Sequence, residues 1–226
     1  MCNIYHVALE RYSKKLDRGS TDWFSVTDAK RDELAMEAIN EVIDEYAGFG
    51  IFDTAESQHS ISHMKAVFKQ TVWALTTQIR RGSFVPERFE FSFYESLDMA
   101  NDVTVDIKGR VDRTDTYTDE GRLFVKVLDY KSGNTVFDLV KLYYGTQLQL
   151  AVYMDAVMEQ KKEALKQVSV EPGGMLYYHI DDPVIDLKDV TPGTELSEEE
   201  INQMILKKRK PDGLINSDEK AYRGMD

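Results

Sequence analysis

Residues 107–153 read IKGRVDRTDTYTDEGRLFVKVLDYKSGNTVFDLVKLYYGTQLQLAVY, and this stretch decides the fold. Two segments within it, residues 110–117 and 123–130, are rich in β-branched and apolar residues, and the polar residues 118–121 (TDEG) separate them. A short polar break that contains glycine, between two segments of this kind, is typical of a β-hairpin. The stretch therefore predicts two antiparallel strands joined by a tight turn.

The register of this hairpin determines whether its charged residues meet. If Glu120 and Gly121 form a two-residue turn, counting outward along both strands places Asp112 opposite Asp129. Opposed residues share a face of the sheet, so two carboxylates meet there. Lys131 follows Asp129 by two positions and shares its face, because side chains alternate along a strand. A slip of one residue would move Asp112 to the other face.

Two carboxylates and a lysine at the end of a hairpin suit the chemistry of phosphodiester hydrolysis. Carboxylate oxygens hold a hard divalent cation such as Mg²⁺ or Mn²⁺, and an ammonium group stabilises developing negative charge or an attacking hydroxide. The same residues also fit an ordinary surface ion pair on a half-exposed strand. The Asp-X-Lys pattern alone leaves both interpretations open.

The remainder of the chain predicts an α/β protein with helices before and after a sheet. In residues 88–97, alternation places Phe89, Phe91 and Phe93 on one face of a strand and Glu90 on the other. In the helix after the hairpin, Gln149 and Tyr153 are four residues apart and point the same way. The predicted helices are residues 4–16, 28–46, 60–81, 139–158 and 197–208, and the predicted strands are residues 88–97, 110–117, 123–130 and 175–180.

Length and composition favour one domain. A chain of 226 residues that is 42% hydrophobic is long enough for one substantial core and short for two. We expect a single domain over residues 1–226, with a helical part in residues 1–83, the sheet core and motif helix in residues 84–180, and a peripheral C-terminal segment in residues 181–226. No apolar run approaches membrane-spanning length and the N-terminus resembles no signal peptide, so we expect a cytoplasmic protein without membrane contact.

The formal net charge is −12, from 28 lysine and arginine residues against 40 aspartate and glutamate residues. This balance argues against a free-standing nucleic-acid binder, because such proteins owe much of their affinity to neutralised phosphates. The single cysteine, Cys2, forms no internal disulfide and cannot build a cysteine-rich metal site within this chain.

The order of four motifs resembles the RecB-like branch of the PD-(D/E)XK nuclease superfamily. That pattern is a histidine on an early helix, G-R-[IV]-D on one strand, D-Y-K on the next, and Q-x-x-x-Y on the following helix. Here the motifs are His6, Gly109-Arg110-Val111-Asp112, Asp129-Tyr130-Lys131, and Gln149 with Tyr153. More narrowly, segments such as TVWALTTQIRRGSFVPERFEFSF, LYYGTQLQLAVYMDAV, PGGMLYYHIDDP and DGLINSDEKAYRGMD are similar to the C-terminal nuclease domains of AddB subunits of bacterial AddAB helicase-nucleases. The resemblance covers nearly the full chain.

The resemblance implies a PD-(D/E)XK core, with a central mixed β-sheet flanked by helices, and a metal site. The metal ligands would be His6, Asp112, Asp129 and the backbone carbonyl of Tyr130. Lys131 would position or activate the water. The metal would be Mg²⁺ or Mn²⁺, because a histidine ligand makes Mn²⁺ as suitable as Mg²⁺.

Several further residues have secondary roles in this interpretation. Gln149 and Tyr153 match the last motif and would orient Lys131 or a substrate phosphate. Glu10 and Glu90 are second-rank candidates for the site. The other histidines, His59, His63 and His179, match no motif and are interpreted as structural.

Two departures from the family pattern stand out. Cys2 occupies the place where the family has a glycine four residues before the motif histidine. Full-length relatives also carry an iron–sulfur cluster held by one cysteine upstream of the domain and three downstream, and no cysteine here matches those positions. We therefore expect the cluster only in a full-length parent, and the chain looks like a fragment of such a parent.

The leading hypothesis is a metal-dependent DNA exonuclease domain of an AddAB-type enzyme for double-strand-break repair and recombination. Its partners would be an AddA-type helicase-nuclease subunit and single-stranded DNA delivered by a helicase motor, which would explain an acidic chain that captures little DNA itself. One alternative is a catalytically silent scaffold or DNA-guiding module with the nuclease fold. Another is a stand-alone RecB-like nuclease.

Overall fold

The protein was analysed as a computed structural model that describes residues 2–19, 21–47, 55–99, 103–183 and 196–225. No helix within these ranges is long and apolar enough to cross a membrane. The described elements are, in chain order, α1 (Cys2–Arg18), α2 (Asp28–Ala47), α3 (Ala55–Arg81), β1 (Val85–Met99), β2 (Val103–Asp119), β3 (Arg122–Lys131), α4 (Leu139–Tyr143), α5 (Gln149–Ala164), β4 (Ser169–His179), α6 (Glu198–Lys208), β5 (Asp212–Ile215) and α7 (Glu219–Met225).

The five strands form one sheet in the order β1-β2-β3-β4-β5. The pairs β1/β2, β2/β3 and β4/β5 are antiparallel, and the sheet as a whole is mixed. Strands β3 and β4 are connected through α4 and α5, the long helical crossover that parallel neighbours need. The predicted α/β class with a mixed sheet is confirmed.

The hairpin turn follows the sequence prediction. Glu120 and Gly121 both have positive φ, at 46° and 77°, the conformation of the two-residue turns whose twist matches that of antiparallel strands. Asp119 pairs with Arg122, as predicted, and the same register continues without a shift to the described end of the ladder. The predicted turn and register are therefore confirmed over this length.

The described chain divides into two compact units. We call the first the helical unit, which comprises Met1–Arg80, Lys131–Asn134 and Tyr178–Pro211. We call the second the sheet unit, which comprises Arg81–Tyr130, Thr135–Tyr177 and Asp212–Asp226.

The helical unit has its own core. The apolar residues of α1 that the sequence places at helical spacing are buried, and Tyr5 stacks on Phe68 of α3 with ring centroids 6.4 Å apart. Arg209, which follows α6, is 1% exposed and donates hydrogen bonds to Thr71 and Gln70 of α3 and to the carbonyl of Asp181. A buried guanidinium is tolerated because its donors are satisfied in this way.

The sheet unit is built around one apolar cluster. Helix α5 contributes Leu150, Met154, Ala156 and Val157, and the strands contribute Phe93, Val111, Leu123, Val125, Val127, Val170 and Tyr177. A second, smaller cluster joins Phe84 and Phe124 to Ala221 of α7. The sheet thus presents its hairpin strands to α5.

The single helix predicted over residues 139–158 is wrong, because the chain forms two helices there. Helix α4 ends at Tyr143, and Gly145 has a φ of 74°. Glycine adopts this left-handed conformation without steric cost and commonly ends helices. Helix α5 then begins at Gln149, so the motif residue stands at the start of a helix.

The C-terminal segment contains more structure than the one predicted helix. That helix, α6, is confirmed, and Ser197 and Glu200 form the expected capping box. The prediction missed β5, which pairs with β4, and α7, whose Ala221 is fully buried. Strand β5 is only 4 residues long, too short to show the alternation by which strands are recognised.

Candidate active site

Asp112 lies where strands β2 and β3 stop pairing in the regular way. The described ladder ends at Arg113 and Leu128, and one further step in the same register would set Asp112 opposite Asp129. At this point Asp112 Oδ2 accepts a hydrogen bond of 2.6 Å from the backbone N–H of Tyr130. Asp112 is only 7% exposed, so this bond fixes a buried carboxylate against the D-Y-K motif.

The D-Y-K motif occupies the last three positions of β3. Asp129 and Tyr130 are each 2% exposed, whereas Lys131 is half-buried. The carbonyl of Lys131 accepts a hydrogen bond of 2.8 Å from the N–H of Ile180, which holds the end of the strand. The motif therefore places a buried carboxylate and a more accessible ammonium two residues apart.

Glu90 adds a carboxylate that the sequence ranked second. One of its carboxylate oxygens lies within 4.8 Å of a carboxylate oxygen of Asp112. Its side chain is 7% exposed and lies 3.6 Å from Arg110 Nη1. Its φ of 48° interrupts the alternation predicted for β1. Left-handed backbone at a non-glycine residue costs energy and is concentrated at functional sites, and no residue pattern in β1 announces it.

Gln149 and Tyr153 act as a pair at the start of α5. Gln149 Nε2 donates a hydrogen bond of 2.8 Å to the Tyr153 hydroxyl. Burial raises the pKa of Tyr153, the bond from Gln149 opposes this shift, and the carboxylates of the three site residues Asp129, Asp112 and Glu90 raise it further. Tyr153 therefore stays protonated and lies within electrostatic range of all three carboxylates.

Tyr177 of β4 is a site neighbour that the sequence did not single out. Its residue is 2% exposed, and burial followed by the charge of Asp129 raises its pKa. It sits within an apolar strand with no polar pattern around it, so no sequence signal distinguishes it from a core residue.

Gly109, the first residue of the G-R-V-D motif, has a packing role. A methyl group added there would lie 2.6 Å from the Phe93 ring and 3.2 Å from the Tyr153 ring. Phe93 and Tyr153 meet edge to face with centroids 5.9 Å apart. Glycine therefore lets the Tyr153 ring approach the strand that carries Asp112.

A buried ion cluster, which we define as Arg113, Asp115 and Lys126, lies next to both motif aspartates. Arg113 donates two hydrogen bonds of 2.6 Å to the two carboxylate oxygens of Asp115, and Lys126 Nζ lies 3.1 Å from Asp115 Oδ2. Burial opposes both charges, but their attraction prevails, raising the pKa of Arg113 and lowering that of Asp115. Arg113 also shares a hydrogen bond with the Tyr130 hydroxyl. The cluster thereby ties β2 to β3.

The remaining predicted residues lie in the helical unit. His6 is half-buried on α1. Glu10 pairs with Lys14 at 2.7 Å. His63 Nε2 lies 3.0 Å from Asp182 Oδ2, and His179 Nδ1 lies 3.0 Å from the carbonyl of Gly133.

The donor set of the sheet unit fits a hard divalent cation. Buried charges need a partner or a metal ion, and Glu90 and Asp112 place two carboxylates close together in a site that water hardly reaches. Oxygen ligands of this kind suit Mg²⁺ and Mn²⁺. The arrangement, with a lysine at the end of the same strand, is that of a metal-assisted hydrolase.

The comparisons with known proteins agree with this chemistry. Residues 3–222 match the PD-(D/E)XK nuclease superfamily, and the chain belongs to that superfamily. The resemblance drawn from the four motifs is confirmed.

Particular relatives are bacterial proteins named as B-type subunits of ATP-dependent helicase/deoxyribonucleases. The chain is 34% identical over 233 residues to the protein of Alkaliphilus metalliredigens, which covers 99% of this chain and 20% of the relative. It is 36% identical over 216 residues to the protein of Lachnoclostridium phytofermentans, which covers 95% of this chain and 17% of the relative. The chain thus spans about a fifth of the length of these relatives.

Proposed function

We propose that residues 1–226 form one nuclease domain that digests DNA from an end, with Mg²⁺ or Mn²⁺ as its metal. The observation that carries the proposal is the carboxylate site of the sheet unit, where Asp112 is bonded to the D-Y-K strand and Glu90 lies beside it. Membership of the nuclease superfamily supports the reaction type.

The residues that would hold the metal are Asp112, Asp129, Glu90 and the carbonyl oxygen of Tyr130, with His6 as the ligand that the family resemblance adds. When bound, the metal would withdraw charge from the scissile phosphate and favour the ionised form of an attacking water. A set dominated by carboxylates suits Mg²⁺, whereas a histidine ligand makes Mn²⁺ an equally good cofactor in solution.

The chain's own residues would supply positioning and charge. The Lys131 ammonium would orient the attacking water and stabilise the negative charge that develops on the phosphate oxygens. Gln149 and Tyr153, already hydrogen-bonded to each other, would orient Lys131 or a neighbouring phosphate. Water oxygen bonds to phosphorus, the phosphorus–oxygen bond to the departing nucleotide breaks, and the departing oxygen takes up a proton.

The names of the relatives suggest the setting of this reaction. Those proteins are named as subunits of helicase/deoxyribonucleases, and we infer that the chain works in the cytoplasm beside an AddA-type subunit in double-strand-break repair. A net charge of −12 suits a domain that receives its strand from a motor instead of capturing DNA by itself.

The proposal is tested by incubating the chain with end-labelled linear single-stranded DNA in Mg²⁺, in Mn²⁺, and in excess chelator. Release of short products is expected with either metal and not with chelator, because the carboxylates alone provide no electrophile. A circular strand of the same sequence is the matched control and should survive, since an exonuclease needs an end. Product release that is equal with and without chelator would disprove metal dependence.

A further inference from the structure

The segment that leads into α5 exposes an unusual amount of apolar surface. Tyr143 is 84% exposed and Tyr144 is 74% exposed. Large apolar side chains on this scale mark a contact surface when they cluster. The exposed members are Val136, Leu139, Val140, Tyr143, Tyr144 and Leu148.

Hydrogen bonds hold this segment in a fixed conformation. The Asp138 carboxylate caps α4 by accepting from the N–H groups of Val140 and Lys141. Gln147 spans the segment, since its Oε1 accepts from the N–H of Asp138 and its Nε2 donates to the carbonyl of Val136. The tyrosines are therefore presented to solvent by a braced scaffold, which lowers the entropy cost of binding.

The same segment is joined to the carboxylate site at both ends. On one side, the Phe137 ring packs against Tyr177 with centroids 6.5 Å apart, and Tyr177 faces Asp129. On the other side, Tyr144 precedes Gln149 by five residues, so their Cα atoms are at most about 18 Å apart. A strand only a few nucleotides long reaches from one to the other.

Exposed aromatic rings beside a nuclease site suit unpaired bases. Every base presents a flat face that stacks on aromatic side chains, whatever the sequence. The two tyrosine rings are nearly perpendicular, with centroids 5.2 Å apart. Lys141, 62% exposed and only loosely paired with Asp138 at 3.9 Å, supplies a cation on the same turn. With a net charge of −12, the chain has few other means of holding a polyanion.

We propose that Tyr143 and Tyr144 form a stacking platform for unpaired bases of the strand being digested. This inference rests on the proposed nuclease function and adds to it a base-contacting surface outside the carboxylate site. The platform favours single strands over duplex, because paired bases do not offer their faces.

The test measures binding without cleavage, by anisotropy of a fluorescein-labelled oligothymidylate in the presence of chelator. Replacing both tyrosines by alanine is expected to raise Kd about tenfold, the size of effect typical of base–aromatic stacking. Replacing both by phenylalanine keeps the rings and should leave Kd unchanged. Because both side chains are exposed, thermal unfolding should be unaffected by either replacement.

Two controls separate the possible results. Tyr222→Ala removes an aromatic side chain that is 59% exposed on α7 and should not change Kd. An abasic strand of the same length keeps the phosphates and should bind the native and alanine chains equally. The platform is refuted by an alanine chain that binds within about twofold of the native chain, by a native chain without measurable affinity, or by equal losses in the alanine and phenylalanine chains. A surface that docks a protein gives the first of these results.

The nuclease proposal fails separately from the platform. Tyrosine-dependent binding without metal-dependent cleavage refutes the nuclease function alone. Cleavage with a tyrosine-independent Kd refutes the platform alone.

Discussion

Replacing Lys131 by alanine is expected to slow digestion of linear single-stranded DNA by at least about a hundredfold, the typical cost of losing one group that stabilises transition-state charge. The ammonium at the end of β3 has no equivalent two residues from Asp129. Mn²⁺ affinity should change little, because Lys131 is not a ligand. The measurement is the initial rate of product release, with calorimetry of Mn²⁺ binding beside it.

The same experiment with Asp129→Ala gives a different pattern. This carboxylate is 2% exposed and is expected to bind the metal, so both the rate and Mn²⁺ binding should be lost. The matched control is Lys162→Ala, which breaks an exposed ion pair with Glu159 and should leave both quantities unchanged. Equal activity of the native, Lys131→Ala and Asp129→Ala chains would sink the catalytic assignment and favour a silent scaffold.

Replacing Asp115 by alanine is expected to lower the free energy of unfolding by about 3–5 kcal/mol, the cost of removing one partner from a buried ion pair. Arg113 and Lys126 would then be buried without the carboxylate that both contact. Because Arg113 also bonds to Tyr130, activity should fall together with stability. Urea unfolding followed by fluorescence gives the free energy.

Two comparisons guard the interpretation of this result. Lys162→Ala breaks an exposed pair and should cost less than about 1 kcal/mol. Replacing Arg113, Asp115 and Lys126 together by apolar residues of similar volume should cost less than Asp115→Ala alone, since no charge remains buried. A loss below about 1 kcal/mol for Asp115→Ala would show that the cluster does not hold β2 and β3 together.

The hairpin and its register were predictable because local chemistry determines them. The positive φ values of Glu120 and Gly121 are those of a two-residue turn, and that turn sets the pairing outward to Arg113. The prediction that Asp112 lies against the D-Y-K strand follows from this register. The bond from Asp112 to the N–H of Tyr130 agrees with it.

Other features depend on contacts that a linear pattern does not encode. Glu90 adopts a left-handed backbone within a strand, and only the coordinates show it near Asp112. The interruption between α4 and α5 was signalled by Gly145, but the apolar spacing on both sides obscured it. Strand β5 is stabilised by pairing with β4 and not by its own sequence.

The most direct test of the carboxylate site is an anomalous difference map from a crystal of the native chain soaked in Mn²⁺. A peak bonded to oxygens of Asp112 and Asp129, with Glu90 and the Tyr130 carbonyl in the same coordination shell, is the expected result. A map without a peak at Asp112 and Asp129, or with Mn²⁺ bound only elsewhere, would contradict the metal-dependent nuclease site.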